Sequence, residues 1–203
     1  MAEDKPNVIV IMVDDMGYGG LSCYDNTYFK TPAIDRLAAD GVRLTDFHSN
    51  GVLCSPTRAA LMTGRYQQRS GCARVINADP KVPMHHVGMH DDEWTFPEAM
   101  KTAGYATGIF GKWHLGYKPR FNPTLHGFDE FVGFISGNID AHSHYDRVGT
   151  FDWWHGRELT KDPGYHTDLI TDYTVDFIER HRDRPFFAYV SHATPHSPHQ
   201  ARG

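Results

Sequence analysis

Apolar positions along the chain fall into short unbroken runs and helical stripes that alternate, the pattern of an α/β domain. Asn7-Val8-Ile9-Val10-Ile11-Met12-Val13 is continuous and β-branched, which predicts a central strand buried on both faces. Thr31-Pro32 opens a helix, with Thr31 as N-cap and Pro32 in its first position. Ile34, Leu37 and Ala38 form its apolar stripe and Gly41 stops it. Val42 to Phe47 reads as the next strand. Ala59 to Met62 continue a second helix, with Ser55 as its N-cap, Pro56 in its first turn and Gly64 as a left-handed stop. Thr95-Phe96-Pro97-Glu98 spells a capping box for a third helix that closes at Gly104. Tyr105 to Phe110 is a second inner strand. Ile170, Tyr173, Thr174, Phe177 and Ile178 give a clear helix over 166–182, with Arg180, His181 and Arg182 in its last turn. Phe186 to Val190 is a third buried strand.

Between these elements, 65–94 and 120–161 lack clear periodicity. The first is loop-like, with Pro80, Pro83, His85, His86 and His90, and could shape a substrate pocket. In the second, Trp153, Trp154 and His155 offer ring faces that either recognise a substrate or simply pack. His142-Ser143-His144-Tyr145-Asp146 is similar to the H-x-H-x-D zinc motif of metallo-β-lactamase-like hydrolases. Arg147 stands where that family's next ligand histidine would be, so the zinc reading is set aside.

Composition narrows the picture. The 203 residues most simply form one domain, with a formal charge of −5 and no basic block, which argues against nucleic acid as main partner. No apolar run is long enough to span a membrane. Met1 to Pro6 lead straight into the first strand without a visible signal-peptide core, so the protein is cytoplasmic or begins after a removed leader. The three cysteines, Cys23, Cys54 and Cys72, make no disulfide framework; Cys23 and Cys72 either pair or stay free.

Chemistry gathers just after the predicted strands, where open α/β sheets build their sites. Asp14 and Asp15 follow the first strand; adjacent carboxylates repel unless a cation neutralises them, and hard oxygens suit Ca²⁺ or Mg²⁺. Cys54 stands at a helix mouth that favours anions, with the permanent charge of Arg58 one turn on. Lys112 and His114, two apart in extended chain, point to one side and could face one anion together. His196 lies in a proline-rich loop after the last strand.

Cys54, Pro56, Thr57, Arg58, Met62, Thr63, Gly64 and Arg65 together spell C-x-P-[ST]-R-x-x-x-[LM]-T-G-R. With Gly111-Lys112-Trp113-His114-Leu115-Gly116 and the later P-F-F-x-Y…P-H-x-P pattern, the chain resembles the formylglycine-dependent sulfatases of the arylsulfatase and N-acetylgalactosamine-6-sulfatase type, in order from Pro6 to Pro198. The resemblance implies an alkaline-phosphatase-like α/β fold, with a mostly parallel central sheet flanked by helices and C-terminally incomplete. Residues 1–203 would then be the N-terminal part of a sulfatase catalytic domain. It implies hydrolysis of a sulfate monoester of a small molecule or glycan. Cys54, oxidised by a maturation enzyme to formylglycine (3-oxoalanine), would supply a hydrate oxygen as nucleophile. Asp14, Asp15 and the modified Cys54 would bind Ca²⁺. Arg58 and His114 would orient the hydrate, and Lys112 and His196 would contact the sulfate. Two other readings stay open: a phosphomonoester or phosphonate hydrolase of the same superfamily, and a non-catalytic calcium-dependent binder of sulfated glycans.

The family's later Asp-Asn or Asp-Gln metal pair and its distal lysine are not found before Gly203. Two carboxylates underfill a Ca²⁺ shell of about six to eight oxygens, and the sheet would keep an exposed edge. The 203-residue chain by itself is therefore expected to be poorly active and aggregation-prone. Turnover of an aryl sulfate by the purified chain at the rate of a complete sulfatase would refute this.

Overall fold

The computed structural model describes residues 5–203; Met1 to Asp4, part of the stretch read as lacking a leader, lie outside the described residues. Six strands form one sheet in the order β1-β6-β2-β3-β4-β5: β1 Val8–Asp14, β2 Ala106–Lys112, β3 Glu130–Phe134, β4 Trp154–His155, β5 Glu158–Leu159 and β6 Phe186–Pro195. The pairs β1/β6, β6/β2 and β2/β3 are parallel, whereas β3/β4 and β4/β5 are antiparallel. Four α-helices accompany it: α1 Pro32–Asp40, α2 Cys54–Thr63, α3 Phe96–Thr102 and α4 His166–His181. The mostly parallel, helix-flanked sheet expected from the sequence is present.

Two apolar clusters cover the sheet. On one side Ile109, Phe131, Phe187 and Tyr189 pack with Met62 of α2 and with Trp113 and Phe128. On the other, Phe110, Val132, Phe186 and Ala188 meet Ile170 and Phe177 of α4. Alternation along β2 and β6 sends successive side chains to opposite clusters, which is why both strands read as unbroken apolar runs. Gly111 makes the crossing tight: at φ +107° a Cβ there would strike the Ser191 carbonyl of β6.

Several expectations need correction. β1 is not buried on both faces; it pairs only with β6, and Ile9 and Ile11 remain 46% and 59% exposed at the sheet edge. Residues 42–47 form no strand and run exposed, and β1's open side has no partner among the described residues. Leu53, not Ser55, caps α2; Ser55 is buried within the first turn, where its Oγ accepts from Ile76 N–H at 3.2 Å. Thr31 occupies the cap of α1 without a capping bond, because its Oγ1 binds Asp35 and Ser22 instead. β6 continues to Pro195, past the end expected at Val190, so the start of the expected loop, with His192, belongs to the strand. The capping box of α3 is formed in full, with Thr95 and Glu98 each accepting from the other's backbone.

The aperiodic region 120–161 holds β3 to β5 and a network of buried polar hubs. Asp162 Oδ2 accepts from Trp153 Nε1 at 2.9 Å and from Tyr173 at 2.9 Å, and pairs with His155 at 2.6 Å. Trp153 is fully buried against the His144 ring, so it packs the domain rather than presenting a recognition face. His144 Nε2 bonds Gly164 O, and among the described residues no histidine, cysteine or carboxylate cluster is arranged to hold a metal. Cys23, Cys54 and Cys72 are all free thiols, and burial pushes Cys72 up to about 12.

His166 at the start of α4 is buried, and desolvation, aided by His144 and His192, pulls its pKa from 6.5 to about 4. The unfolded chain therefore binds the proton more readily, and stability rises with pH across that interval. A shift of this size corresponds to about 3 kcal/mol, fully present above pH 6.5 and lost on descending to pH 4. His166→Phe, which keeps a ring against Tyr165, is expected to flatten the acid limb of the denaturation midpoint plotted against pH. An unchanged limb would count against this assignment.

Candidate active site

Parallel pairing brings the carboxyl ends of β1, β2 and β6 to one rim, and α2 starts there as well. Asp14 closes β1 where the register with β6 slips, so that it stands opposite Pro195. Asp15 follows in the left-handed region at φ 60°, an uncommon conformation for a residue with a Cβ, and turns its carboxylate to solvent. Lys112 ends β2. His114 comes two residues later, also left-handed at φ 56°, and both side chains are almost wholly buried.

Asp14 is the anion of this cluster. Its Oδ2 receives the Lys112 ammonium, and its Oδ1 lies 3.6 Å from a guanidinium nitrogen of Arg58. Burial is the main influence lowering the Lys112 pKa, followed by Arg58; Asp14 and Cys54 act in the opposite direction. Arg58, 1% exposed, reaches from the first turns of α2 to β6 and β2. Its Nη1 donates to Ser191 Oγ, to Tyr189 Oη at 3.2 Å and to the Lys112 carbonyl at 3.2 Å. Ser191 Oγ in turn donates to that same carbonyl at 2.7 Å. Arg58 Nε and Nη2 have no hydrogen-bond partner. Buried donors without partners are costly, at about 1–3 kcal/mol each, and make this end of the cluster a ready receptor for oxyanions.

His114 Nε2 is 2.9 Å from the Ile76 carbonyl, which can only accept. The hydrogen is therefore assigned to Nε2, leaving Nδ1 as an acceptor that is buried and unpartnered. Burial, reinforced by the Lys112 charge, holds the imidazole pKa well below its ordinary value, so the ring is neutral and Nδ1 carries its lone pair. Gly137 backs the ring: a Cβ there would stand 2.8 Å from His114 Cε1.

Cys54 is half-buried at the first position of α2, within the anion-favouring end of that helix. Gly64 ends the helix at φ 64°, as its place in the motif requires, and Arg65 pairs with buried Glu93 at 3.5 Å. The second half of the motif thus holds α2 in place and takes no part at the rim. His196 is close to Asp15, with Nε2 3.6 Å from Oδ2. The structure thus joins Asp14, Arg58 and Lys112 directly, sets Cys54 within reach of the Lys112 charge, and groups His196 with Asp15.

Asp14 and Asp15 are hard-oxygen donors and suit Ca²⁺ in kind, but Asp14 is already engaged by two cations and Asp15 points outward. With Cys54 they form no three-donor cluster among the described residues. Sequence reasoning missed Tyr189, Ser191 and the Ile76 carbonyl, which hold Arg58 and His114. The one cue was a serine and a tyrosine hydroxyl inside an otherwise apolar strand.

The mostly parallel sheet with its charged rim at the strands' carboxyl ends has the alkaline-phosphatase-like α/β fold. The phosphonate monoester hydrolase of Agrobacterium radiobacter shares it, at TM-score 0.65 and 22% identity over 98% of this chain and 42% of that one. Residues 6–202 match the Sulfatase family, to which the chain belongs. It is 37% identical to N-acetylgalactosamine-6-sulfatase of Homo sapiens over 97% of its own length and 41% of that protein's. Among solved structures, Ps i-CgsB in complex with k-i-k-neocarrahexaose superposes with TM-score 0.87 at 31% identity, covering 98% of this chain and 47% of that chain. BT4656 in complex with its substrate D-glucosamine-2-N,6-O-disulfate gives TM-score 0.77 at 30% identity, covering 98% and 36%. The chain spans less than half the length of these relatives.

Ser191→Ala removes one of the three acceptors of Arg58 Nη1 and the serine's own bond to the Lys112 carbonyl, so a loss of about 1–3 kcal/mol in stability is expected for the two bonds. Tyr189→Phe, removing a longer bond, is expected to cost less. Urea denaturation of both variants checks the order.

Proposed function

We propose that the protein carrying this chain hydrolyses sulfate monoesters, with a sulfated sugar as the favoured substrate class. The observation that supports this best is the convergence of Cys54, Arg58, Lys112 and His114 around a buried, donor-rich rim. A tetrahedral oxyanion matches the unpartnered nitrogens of Arg58 and the neighbouring Lys112 ammonium. The relatives named with a galactosamine sulfate and a sulfated glucosamine point to sugar substrates.

In this reading Cys54 is converted by a maturation enzyme to formylglycine, whose hydrate supplies the attacking oxygen in place of a thiol. Asp14, Asp15 and the matured Cys54 would be the ligands of a Ca²⁺ ion, which would supply Lewis-acid polarisation of the sulfate. Arg58 orients the anion and offsets its charge. Lys112, held by Asp14, carries positive charge to the transferring group. His114 orients the hydrate through the lone pair of Nδ1 while Ile76 fixes its other nitrogen. His196 faces the substrate from the β6 side, where it can meet the sulfate or the departing alcohol.

Mass spectrometry of the peptide containing Cys54, from protein made alongside a competent maturation enzyme, should show the aldehyde in place of the thiol. The matured full-length protein should cleave an aryl sulfate much faster than the matching aryl phosphate, and Cys54→Ala should abolish both. An intact thiol with retained binding of sulfated glycans would favour the non-catalytic binder. A preference for the phosphate or a phosphonate ester would favour the alternative hydrolase.

A further inference from the structure

We propose that Arg147 forms a second anion-binding contact beside the active site, selecting sulfated sugars that carry a further sulfate or a carboxylate near the ester to be cleaved. The inference rests on the reading above that the protein acts on a sulfated sugar. Arg147 is the residue at which the histidine motif of 142–146 breaks off, and it is exposed. A tight loop brings it to the rim. Ile139 and Asp146 pair as an antiparallel bridge, and Asp140 N–H donates to the Tyr145 carbonyl at 2.8 Å, so the chain returns at Arg147 beside Asn138.

Asn138 holds the guanidinium without neutralising it. Arg147 Nε and Nη2 both donate to Asn138 Oδ1, at 3.1 and 3.0 Å, while Asn138 Nδ2 donates to the Ser197 carbonyl at 2.9 Å. A guanidinium has five N–H groups; two are used here, and the terminal edge of Nη1 and Nη2 keeps the other three. That edge has the fork geometry that matches two oxygens of a carboxylate or a sulfate. The carboxylates nearest in the chain are occupied elsewhere. Asp140 takes Ser143 and Gln200, Asp146 takes the N–H groups of Val148 and Thr150, and Asp152 takes those of Ile135 and Ser136. Arg147 therefore has no ion-pair partner among the described residues.

Two contacts of Asn138 and its neighbour fix where this fork stands. Gly137, the residue before Asn138, lies against the His114 ring, where a Cβ would stand 2.8 Å from Cε1. Ser197, which Asn138 binds, follows His196 in the chain. The Arg147 charge is felt at His114, where it adds to burial, Lys112 and Arg58 in lowering the imidazole pKa. Arg58 and Lys112 are buried at the ester to be cleaved, whereas Arg147 is exposed on the outer side of the same rim. It is thus free for a different group on the same molecule, and a sugar without a second charge leaves the fork to water.

The test uses the matured full-length protein and three sugars: an N-acetylated hexosamine bearing one sulfate, the same sugar bearing a second sulfate, and the monosulfated sugar joined to a hexuronate. The wild type is expected to prefer a doubly charged sugar in kcat/KM by about ten-fold or more, the scale of one charge-assisted contact. Which of the two it prefers identifies the second group as sulfate or carboxylate. Arg147→Gln is expected to abolish the preference, and Arg147→Lys, which keeps the charge and loses the fork, to retain part of it. No preference in the wild type, or one that survives in Arg147→Gln, would overturn the proposal. If no sulfate is released from these sugars or from an aryl sulfate, the sulfatase reading falls, and calorimetric titration with the same sugars still decides the contact. A preference in affinity that Arg147→Gln removes then supports it, and equal affinity for singly and doubly charged sugars overturns it.

Discussion

The buried contact of Lys112 and Arg58 with Asp14 is the constraint around which the rim is arranged. Two cationic side chains inside a sheet would be untenable without a carboxylate and nearby acceptors. Asp14 supplies the charge; Ser191, Tyr189 and the Lys112 carbonyl supply most of the rest. What they leave over is chemically useful. Arg58 Nε, Nη2 beyond its 3.6 Å ion pair with Asp14, and the neutral Nδ1 of His114 have no hydrogen-bond partner among the described residues.

Two kinds of support keep those groups in place. His114 is held by backbone: a left-handed φ, the Ile76 carbonyl and the bare face of Gly137. His196 is held through the Ser197 carbonyl, which also takes a side-chain bond from Asn138. The difference follows from location, because the first is in the core, where water cannot compete, and the second sits in a loop, where several weak bonds must act together.

The core of the fold was legible in the sequence because the inner strands carry continuous apolar runs and the helices carry capping chemistry that acts locally. Thr95 with Glu98 is formed as its spacing requires, and Gly64 ends α2 as a left-handed stop. The failures are physical rather than random. β1 has the composition of a central strand, but its exposure depends on what lies beside it, which a single segment does not encode. Val42 to Phe47 has strand propensity without a strand partner, and propensity alone does not form a sheet. In the site, Cys54, Arg58, Lys112 and His114 were legible through motifs that bind them at fixed spacing. Ser191, Tyr189 and Asn138 were not, since each matters only through partners far away in the chain, and Ser191 differs from an ordinary strand residue by one hydroxyl.

The parallel pairing of β1 with β6 also sets a timetable for synthesis. Val8 lies beside Phe187, and Asp14 meets Lys112 only once β2 and β6 are laid side by side. During translation the first strand therefore waits, its ladder unmade, until nearly the whole of this chain has left the ribosome. Contacts so distant in sequence form late and slowly. The charged rim is consequently among the last features to assemble, and for most of its time as a nascent chain Cys54 belongs to a segment with no site around it.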